Sequence, residues 1–157
     1  MDINYVIYKS PYGELKIGYE DNKIIFIKKD ISSEANLIKV SKGNNLTDNV
    51  CRQLDEYFKG ERKSFDFKYE LRGTEFQKKV WNALINIPYG ETCSYKDIAI
   101  NIGNEKASRA VGMANNKNPI TIVIPCHRVI GANGKLVGYF GGLDMKKGLL
   151  KLEKENK

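Results

Sequence analysis

A cysteine followed directly by a histidine is the pair of residues in this chain best suited to nucleophilic chemistry. The pair lies in the segment Pro125-Cys126-His127-Arg128, and His127 is the only histidine of the 157 residues. A thiol attacks as its thiolate, and a nearby imidazole favours that form. Neighbouring side chains tend to point apart, so the thiol and imidazole need not touch directly, and a water molecule could bridge them. The alternative is a buried, unreactive cysteine, which is common in proteins.

The segment before this pair is apolar and β-branched. It reads Ile120-Thr121-Ile122-Val123-Ile124, a pattern that predicts a buried strand. Pro125 has no N–H to donate to a sheet, so we expect the strand to end there. Cys126 is therefore predicted at the end of a strand, where reactive groups are commonly presented.

The positive charge of the chain is confined to one half of the sequence. Residues 1–70 carry 12 Lys+Arg and 12 Asp+Glu, whereas residues 71–157 carry 14 and 7, which is the whole net charge of +7. A basic half beside a neutral half indicates a surface that meets a polyanion. A lysine-rich surface that serves only solubility is the other interpretation.

The cysteines and the ends of the chain narrow the class of protein. The three cysteines are an odd number without close spacing, which argues against a disulfide framework. One histidine and no Cys-x-x-Cys leave little for a zinc site. The sequence has no apolar signal region and no run of transmembrane length. We therefore expect a reduced, cytoplasmic protein without a membrane segment or a metal.

The first half has the pattern of a small α+β unit. Apolar or alternating runs predict three strands at 3–9, 14–20 and 23–29, and the first two read as a hairpin around Ser10-Pro11-Tyr12-Gly13. Apolar residues at helical spacing predict a helix over 46–59. Residues 31–43 are ambiguous, and this half shows no obvious chemistry.

The second half reads as helical. Capping boxes at Thr74 and Ser94 open two helices, the first running to about Ile87. Further helices are predicted over 106–115 and from about 144 to 155. A short helix, a turn containing Gly103 and a second short helix form a helix-turn-helix pattern, which many DNA-binding proteins use and many other proteins also contain.

The second helix of this pattern is rich in small residues. Gly112 costs about 1 kcal/mol relative to alanine inside a helix, so either a ligand or a neighbouring helix approaches closely there. Arg109 projects from these small residues as a surface arginine or as a side chain that enters a base stack. Asn118 is a plain turn residue or ties the turn to the loop that carries Cys126.

Taken together, these motifs resemble the 6-O-alkylguanine-DNA alkyltransferase family. The resemblance covers about residues 74–155, and its motifs are Ser94-Tyr95, Arg109-Ala110-Val111-Gly112, Asn118-Pro119, Pro125-Cys126-His127-Arg128-Val129-Ile130 and Gly138-Tyr139-Phe140-Gly141-Gly142. It implies an α+β protein with a small N-terminal ribonuclease-H-like α/β domain over 1–70, taken as structural. A helical domain over 71–157, with a winged-helix-like helix-turn-helix, would bind DNA and transfer the alkyl group.

The resemblance also implies a reaction and its residues. A protein of this family flips an alkylated guanine out of duplex DNA and moves the alkyl group to its own cysteine, here Cys126. His127 would take the thiol proton through a water, and Glu153 would hold the imidazole. Tyr95 would donate a proton or a hydrogen bond to the guanine that leaves. With no resolving cysteine to remove the alkyl group, each molecule would react once.

The remaining site residues are implied in two groups. In the DNA-binding group, Arg109 would fill the gap left by the flipped base and Asn118 would brace the active-site loop. The group consists of Lys96, Asn104, Arg109, Ala110, Asn118 and Arg128. In the substrate pocket, backbone groups near Val129 would read the guanine edge, and the group consists of Val129, Tyr139 and Phe140.

The implied partner is double-stranded DNA that carries 6-O-methylguanine or 4-O-methylthymine, met by a monomer without a cofactor. The sequence has no Gly-x-Gly-x-Gly fingerprint, so S-adenosylmethionine is not expected as a donor. A lesion-binding, alkyltransferase-like protein that transfers nothing is one alternative, but such proteins lack the acceptor cysteine. A helix-turn-helix regulator and a thiol hydrolase are two others.

Overall fold

The computed structural model describes residues 3–32, 38–136, 139 and 142–157. The chain forms two compact units, Met1–Arg72 and Gly73–Lys157. Phe140, together with Gly138 and Gly141 of the predicted glycine-rich segment, lies outside the described residues.

The first unit is built on a sheet. Its strands run in the order β3-β2-β1-β4, in which β1 pairs antiparallel with β2 and parallel with β4, and β2 pairs antiparallel with β3. Their bounds are β1 Ile3–Ser10, β2 Gly13–Glu20, β3 Lys23–Lys28 and β4 Ile38–Val40. The predicted hairpin and third strand are confirmed, and the ambiguous stretch contributes the short fourth strand.

The predicted helix of this unit is confirmed as α1 (Asn45–Phe58). Asn44 and Thr47 form a reciprocal capping box that satisfies free N–H groups of its first turn. The helix buries Val50 and Leu54, which are inaccessible to solvent. The hydroxyl of Tyr8, on β1, donates to Asp55 at 2.6 Å and joins helix to sheet.

The second unit is helical among its described residues. Its helices are α2 Glu75–Ile85, α3 Tyr95–Asn101, α4 Ser108–Asn116 and α5 Leu143–Glu155. A pair of two-residue parallel strands, β5 (Cys93–Ser94) and β6 (Val129–Ile130), joins the start of α3 to the segment after the Cys-His pair. The predicted capping boxes of Thr74 and Ser94 are both formed.

The helices α3 and α4 form the predicted helix-turn-helix pattern. The turn between them uses Gly103 at a φ of +82°, a backbone conformation that glycine adopts without a steric cost. The indole N–H of Trp81, on α2, donates to the carbonyl of Ala114 at 2.8 Å and fixes α4 against the core. The outer face of α4 thereby stays exposed.

The prediction of a strand over Ile120–Ile124 is wrong. The run is buried as expected, but it forms tight turns, and Ile122 adopts a φ of +73°. Its backbone groups bond locally, because the N–H of Ile120 donates to the Asn118 side chain and that of Ile124 to the Ile120 carbonyl. A β-branched residue at positive φ is strained, and such strain is held only where the surroundings impose it.

No helix in the described part of the chain is long and apolar enough to span a membrane.

Candidate active site

Cys126 is the first residue of a single 3-10 turn, Cys126–Arg128, and not the end of a strand as predicted. The residue is 3% exposed. Its N–H donates to the Ile124 carbonyl at 2.7 Å, and its carbonyl accepts from the Asn115 side chain at 3.3 Å. The thiol is therefore carried by a tightly bonded loop inside the second unit.

Asn118 organises this loop from within. Its amide nitrogen donates to the Ile124 carbonyl at 2.8 Å, and its amide oxygen accepts from the Ile120 N–H at 3.0 Å. The side chain thus satisfies backbone groups at both ends of the Ile120–Ile124 segment. Asn118 is 4% exposed, so its amide does not face DNA, and the structure supports the bracing interpretation over a DNA contact.

His127 and Glu153 form a buried pair. The imidazole Nε2 lies 2.6 Å from Glu153 Oε2, and the two residues are 0% and 1% exposed. Because a carboxylate only accepts, Nε2 carries the proton and Nδ1 is an acceptor in the neutral ring. Nδ1 is buried and has no hydrogen-bond partner among the described residues. The ring is therefore fixed by Glu153 with Nδ1 as its basic nitrogen.

Burial and charge set the protonation states of this pair. Burial lowers the pKa of His127, against the opposing effect of Glu153, and keeps the ring neutral near pH 7. Burial alone raises the pKa of Glu153, but hydrogen bonds from His127 and Arg128 and the positive charge of Arg128 outweigh it, and the pKa lies well below its usual range. The carboxylate is therefore ionised.

Arg128 is the third member of this cluster, and its predicted contact with DNA is wrong. Its guanidinium donates to both oxygens of Glu153, at 2.7 and 3.1 Å, and to the Ile87 carbonyl at 2.6 Å. The group lies over the Tyr89 ring at 5.6 Å from its centre, and the residue is 7% exposed. Its donors serve the protein interior, because the 3-10 turn directs the side chain inward.

The thiol of Cys126 has a pKa raised to about 11, chiefly by burial. Interaction with the Asn118 side chain and the positive charge of Lys146 act in the opposite direction. The sequence did not suggest Lys146. It is fully buried, and its Nζ donates to the Val129 carbonyl at 2.6 Å. The signal was its spacing, since Lys146 shares the inward face of α5 with Leu149 and Glu153.

Two tyrosines lie near the thiol. Burial raises the pKa of Tyr95, and the proximity of Cys126 adds to the effect. Burial and then Cys126 also raise the pKa of Tyr139 well above its usual value. A Cβ added at Gly112 would lie 3.8 Å from the Tyr95 ring, an ordinary contact. Contacts among the described residues therefore do not require glycine there.

The other predicted pocket residues have different outcomes. The side chain of Val129 is fully buried in β6, so only its backbone could meet a base. Its N–H already donates to the Cys126 carbonyl, and its carbonyl accepts from Lys146. Phe140 lies outside the described residues.

Four of the predicted DNA contacts lie on the surface of the helix-turn-helix. Lys96 is exposed on the first turn of α3, Asn104 in the turn, and Arg109 and Ala110 on the first turn of α4. These residues share an outward orientation, in contrast to Asn118 and Arg128. Within the described residues, no group of three or more His, Cys, Asp or Glu could hold a metal ion.

Comparison with known families assigns both units. Residues 75–155 match the 6-O-methylguanine DNA methyltransferase, DNA binding domain, and residues 3–71 match the ribonuclease-like domain of the same family. The chain is 53% identical over 154 residues to the methylated-DNA--protein-cysteine methyltransferase of Methanosarcina acetivorans, covering 95% of this chain and 97% of that relative.

Solved structures agree with these matches. A crystal structure of Mycobacterium tuberculosis O6-methylguanine methyltransferase has 43% identity and a TM-score of 0.91, covering 99% of this chain and 94% of the other. A crystal structure of Mycobacterium tuberculosis OGT in complex with DNA has 44% identity and a TM-score of 0.91, covering 98% and 94%. The predicted fold class is confirmed, and the chain belongs to the 6-O-methylguanine DNA methyltransferase family.

Proposed function

We propose that this chain repairs alkylated DNA directly, by moving the methyl group of 6-O-methylguanine to Cys126. The observation that carries the proposal is a thiol on a braced loop next to a fixed, neutral histidine, in a chain of this family. The curated relatives are named methylated-DNA--protein-cysteine methyltransferases, and one neighbouring structure contains DNA. Methylated guanine as the specific lesion, with 4-O-methylthymine as a second substrate, is part of this proposal.

The first step is deprotonation of the thiol. With a pKa of about 11, the thiol of Cys126 is protonated near pH 7, so a base must take its proton as the reaction proceeds. Nδ1 of His127 is the acceptor, reached through a bridging water. The ionised Glu153 holds Nε2 at 2.6 Å and stabilises the imidazolium that forms. The proton thus stays on the imidazole, and the buried carboxylate stabilises the charge without taking the proton.

The second step is displacement at the methyl carbon. The sulfur of Cys126 forms a bond to that carbon while the bond from carbon to guanine O6 breaks, and its electron pair stays on the guanine. Tyr95, whose raised pKa keeps it protonated, gives its phenolic proton to the leaving base, and the thiol proton held by His127 returns through water to restore Tyr95. The products are S-methylcysteine and unmodified guanine. A thioether is a poor leaving group, so the protein reacts once.

The target carbon lies inside a stacked duplex, so the nucleotide must first be extruded. Extrusion costs a few kcal/mol, and an inserted side chain offsets part of that cost. Arg109 is exposed at the start of α4 and is the residue we assign to the gap. Lys96 and Asn104 contact phosphates, and Ala110 lets the helix approach closely. Such contacts do not depend on sequence, which suits a protein that recognises damage.

Each unit has its own part in this proposal. We assign the chemistry and DNA binding to the second unit and a structural role to the first, with the division near residues 70–73. The protein acts as a monomer in the cytoplasm. A lesion-binding protein that transfers nothing is the competing function, and Cys126 argues against it.

A titration of protein against lesion tests the proposal. Increasing amounts of duplex with one 6-O-methylguanine are incubated with a fixed amount of protein, and repaired DNA is counted after completion. We expect repair to stop at one lesion per protein molecule. Cys126→Ala should repair nothing and still bind the duplex. Repair beyond one equivalent indicates a true catalyst, and no repair by the wild type indicates a lesion-binding protein.

A further inference from the structure

The outer face of α4 carries a large apolar side chain that the proposed reaction does not use. Met113 is 66% exposed, the largest fraction among the exposed large apolar side chains of the described residues. Residues three or four apart share a helix face, so Met113 lies one turn after Arg109 and Ala110 and one turn before Asn116. Val111 and Ala114 take the opposite, buried face.

The side chains that precede Met113 on this face are mostly small, so Met113 protrudes from the helix surface. Ala110 and Gly112 are small, so on the preceding turn Arg109 is the neighbour that projects to a similar length. Asn116 and Lys117, on the following turn, are also exposed. Isolated apolar residues on a surface are common, but this one lies at the centre of a polar and cationic face. That face belongs to the segment that matches the family's DNA binding domain.

We propose that Met113 is an apolar wedge that contacts duplex DNA at the base step beside the extruded nucleotide. This inference rests on the proposed function and deepens it, because it names a second side chain that stabilises the open duplex. An apolar wedge of this kind acts from the minor groove, whose sugars and base edges offer apolar surface between two charged backbones. Proteins that bend DNA from the minor groove commonly insert such side chains, methionine included.

The two exposed side chains have complementary physical roles. Arg109 brings charge and hydrogen-bond donors into the gap left by the base. Met113 is flexible and polarizable, so it adapts to an irregular, partly unstacked step whatever its sequence. Its contribution comes from removing apolar surface from water, which depends little on salt, whereas a cationic contact weakens as salt rises. This difference makes the role of Met113 measurable.

The test compares Met113→Gln and Met113→Leu with the wild type. The readout is the second-order rate of methyl transfer from a methylated duplex, divided by the rate with free 6-O-methylguanine, so that damage to the thiol site cancels. We expect this ratio to fall about five- to twentyfold for Met113→Gln, the loss expected when a buried apolar contact is removed. For Met113→Leu it should stay within about twofold. The slope of duplex affinity against salt should not change.

A matched control and a spectroscopic probe complete the test. Ile85 is 40% exposed on α2, and Ile85→Gln should keep the wild-type ratio. With 2-aminopurine beside the lesion, the wild type should raise its fluorescence by unstacking it, and Met113→Gln should raise it less. A ratio within twofold of wild type for Met113→Gln, or an equal loss for Met113→Leu, overturns the wedge. Absence of methyl transfer by the wild type overturns the proposed function instead.

Discussion

The second unit contains two regions built on opposite principles, the buried cluster around Cys126 and the exposed face of α4. In the cluster, His127, Arg128 and Glu153 are each at most 7% exposed, and Glu153 is hydrogen-bonded to both of the others. On α4, Arg109 and Met113 face solvent. Hydrogen bonds within the protein hold the side chains of the cluster in one arrangement. The side chains on the face of α4 are exposed, and we expect DNA to bind them.

This contrast reflects two different tasks. Transfer to a sulfur needs a base held in one tautomer, and a small displacement of that base costs much of the rate. Recognition of a lesion in any sequence needs charge and shape without fixed partners. Substitutions in the cluster should therefore affect chemistry and stability, and those on α4 should affect only reactions that involve duplex DNA.

The largest effect is expected from His127→Gln. Without the base, methyl transfer at neutral pH should fall about 100- to 10,000-fold, because the thiol pKa of about 11 leaves little thiolate. Duplex affinity should stay within about twofold, since His127 is fully buried. Single-turnover kinetics and a binding isotherm measure the two quantities, and parallel losses in both would contradict the separation of the regions.

The pH dependence of the same pair of proteins sharpens this prediction. Burial lowers the pKa of His127, so the wild-type rate should be flat from neutral to mildly alkaline pH. It should fall in acid, below the ordinary histidine value of about 6.5, as the base becomes protonated. His127→Gln should instead gain about tenfold per pH unit from 7 to 9, as expected for direct ionisation of a thiol with a high pKa. A wild-type rate with that same slope would exclude the histidine relay.

Arg128→Ala should have the next largest effect, on stability. It removes two hydrogen bonds from Glu153 and leaves the Ile87 carbonyl without its donor. Breaking a buried ion pair from one side costs about 3–5 kcal/mol. Arg52→Ala is the control, because Arg52 forms an exposed pair with Glu56 that contributes at most about 1 kcal/mol. Chemical denaturation measures both, and similar losses would show that burial of Arg128 does not matter.

Arg109→Ala should slow repair of duplex DNA by about 10- to 100-fold, because part of the cost of base extrusion is no longer offset. The rate of repair of single-stranded DNA with the same lesion should fall much less, since the lesion there has no paired strand to leave. Rates measured on both substrates decide the matter. An equal loss on single strands would place Arg109 in general phosphate binding and not in the base stack.

The smallest effect is expected from Lys96→Ala. Loss of one phosphate contact should weaken duplex binding a few-fold for all sequences and reduce the slope of affinity against salt by about 1. Lys9→Ala, at an exposed lysine of β1, should change neither quantity. Titrations at several salt concentrations measure this slope for both variants. An unchanged slope for Lys96→Ala would show that Lys96 does not contact a phosphate.

The elements that the sequence predicted well are those determined by local signals. The capping boxes at Thr74 and Ser94 formed because each needs only side chains three residues apart. The prediction of a strand at Ile120–Ile124 was wrong because an apolar, β-branched composition indicates that a segment is buried. It does not indicate that the backbone pairs with another strand. Asn118 supplies the hydrogen bonds that a neighbouring strand would have given. These hydrogen bonds depend on tertiary structure, and the periodicity of the sequence carries no information about it.

The site divides in the same way. The motif around Cys126 identified the reacting group, but it did not reveal which way the next side chains point. Arg128 looked like a cation for DNA and is instead bonded to Glu153 in the interior. Lys146 is one of several lysines in its helix, and its buried position follows only from its spacing with Leu149. Charge is thus a poor guide to exposure when a buried partner is far away in sequence.

The most direct test of the central claim is the intact mass of the protein after reaction with a duplex that contains one 6-O-methylguanine. We predict a permanent gain of about 14 Da, the mass of one methylene added when a methyl group replaces the thiol proton. Peptide mapping should place it on Cys126, with Cys51 and Cys93 unchanged. An unchanged mass in the presence of excess methylated duplex, or a methyl group on another residue, would contradict the account.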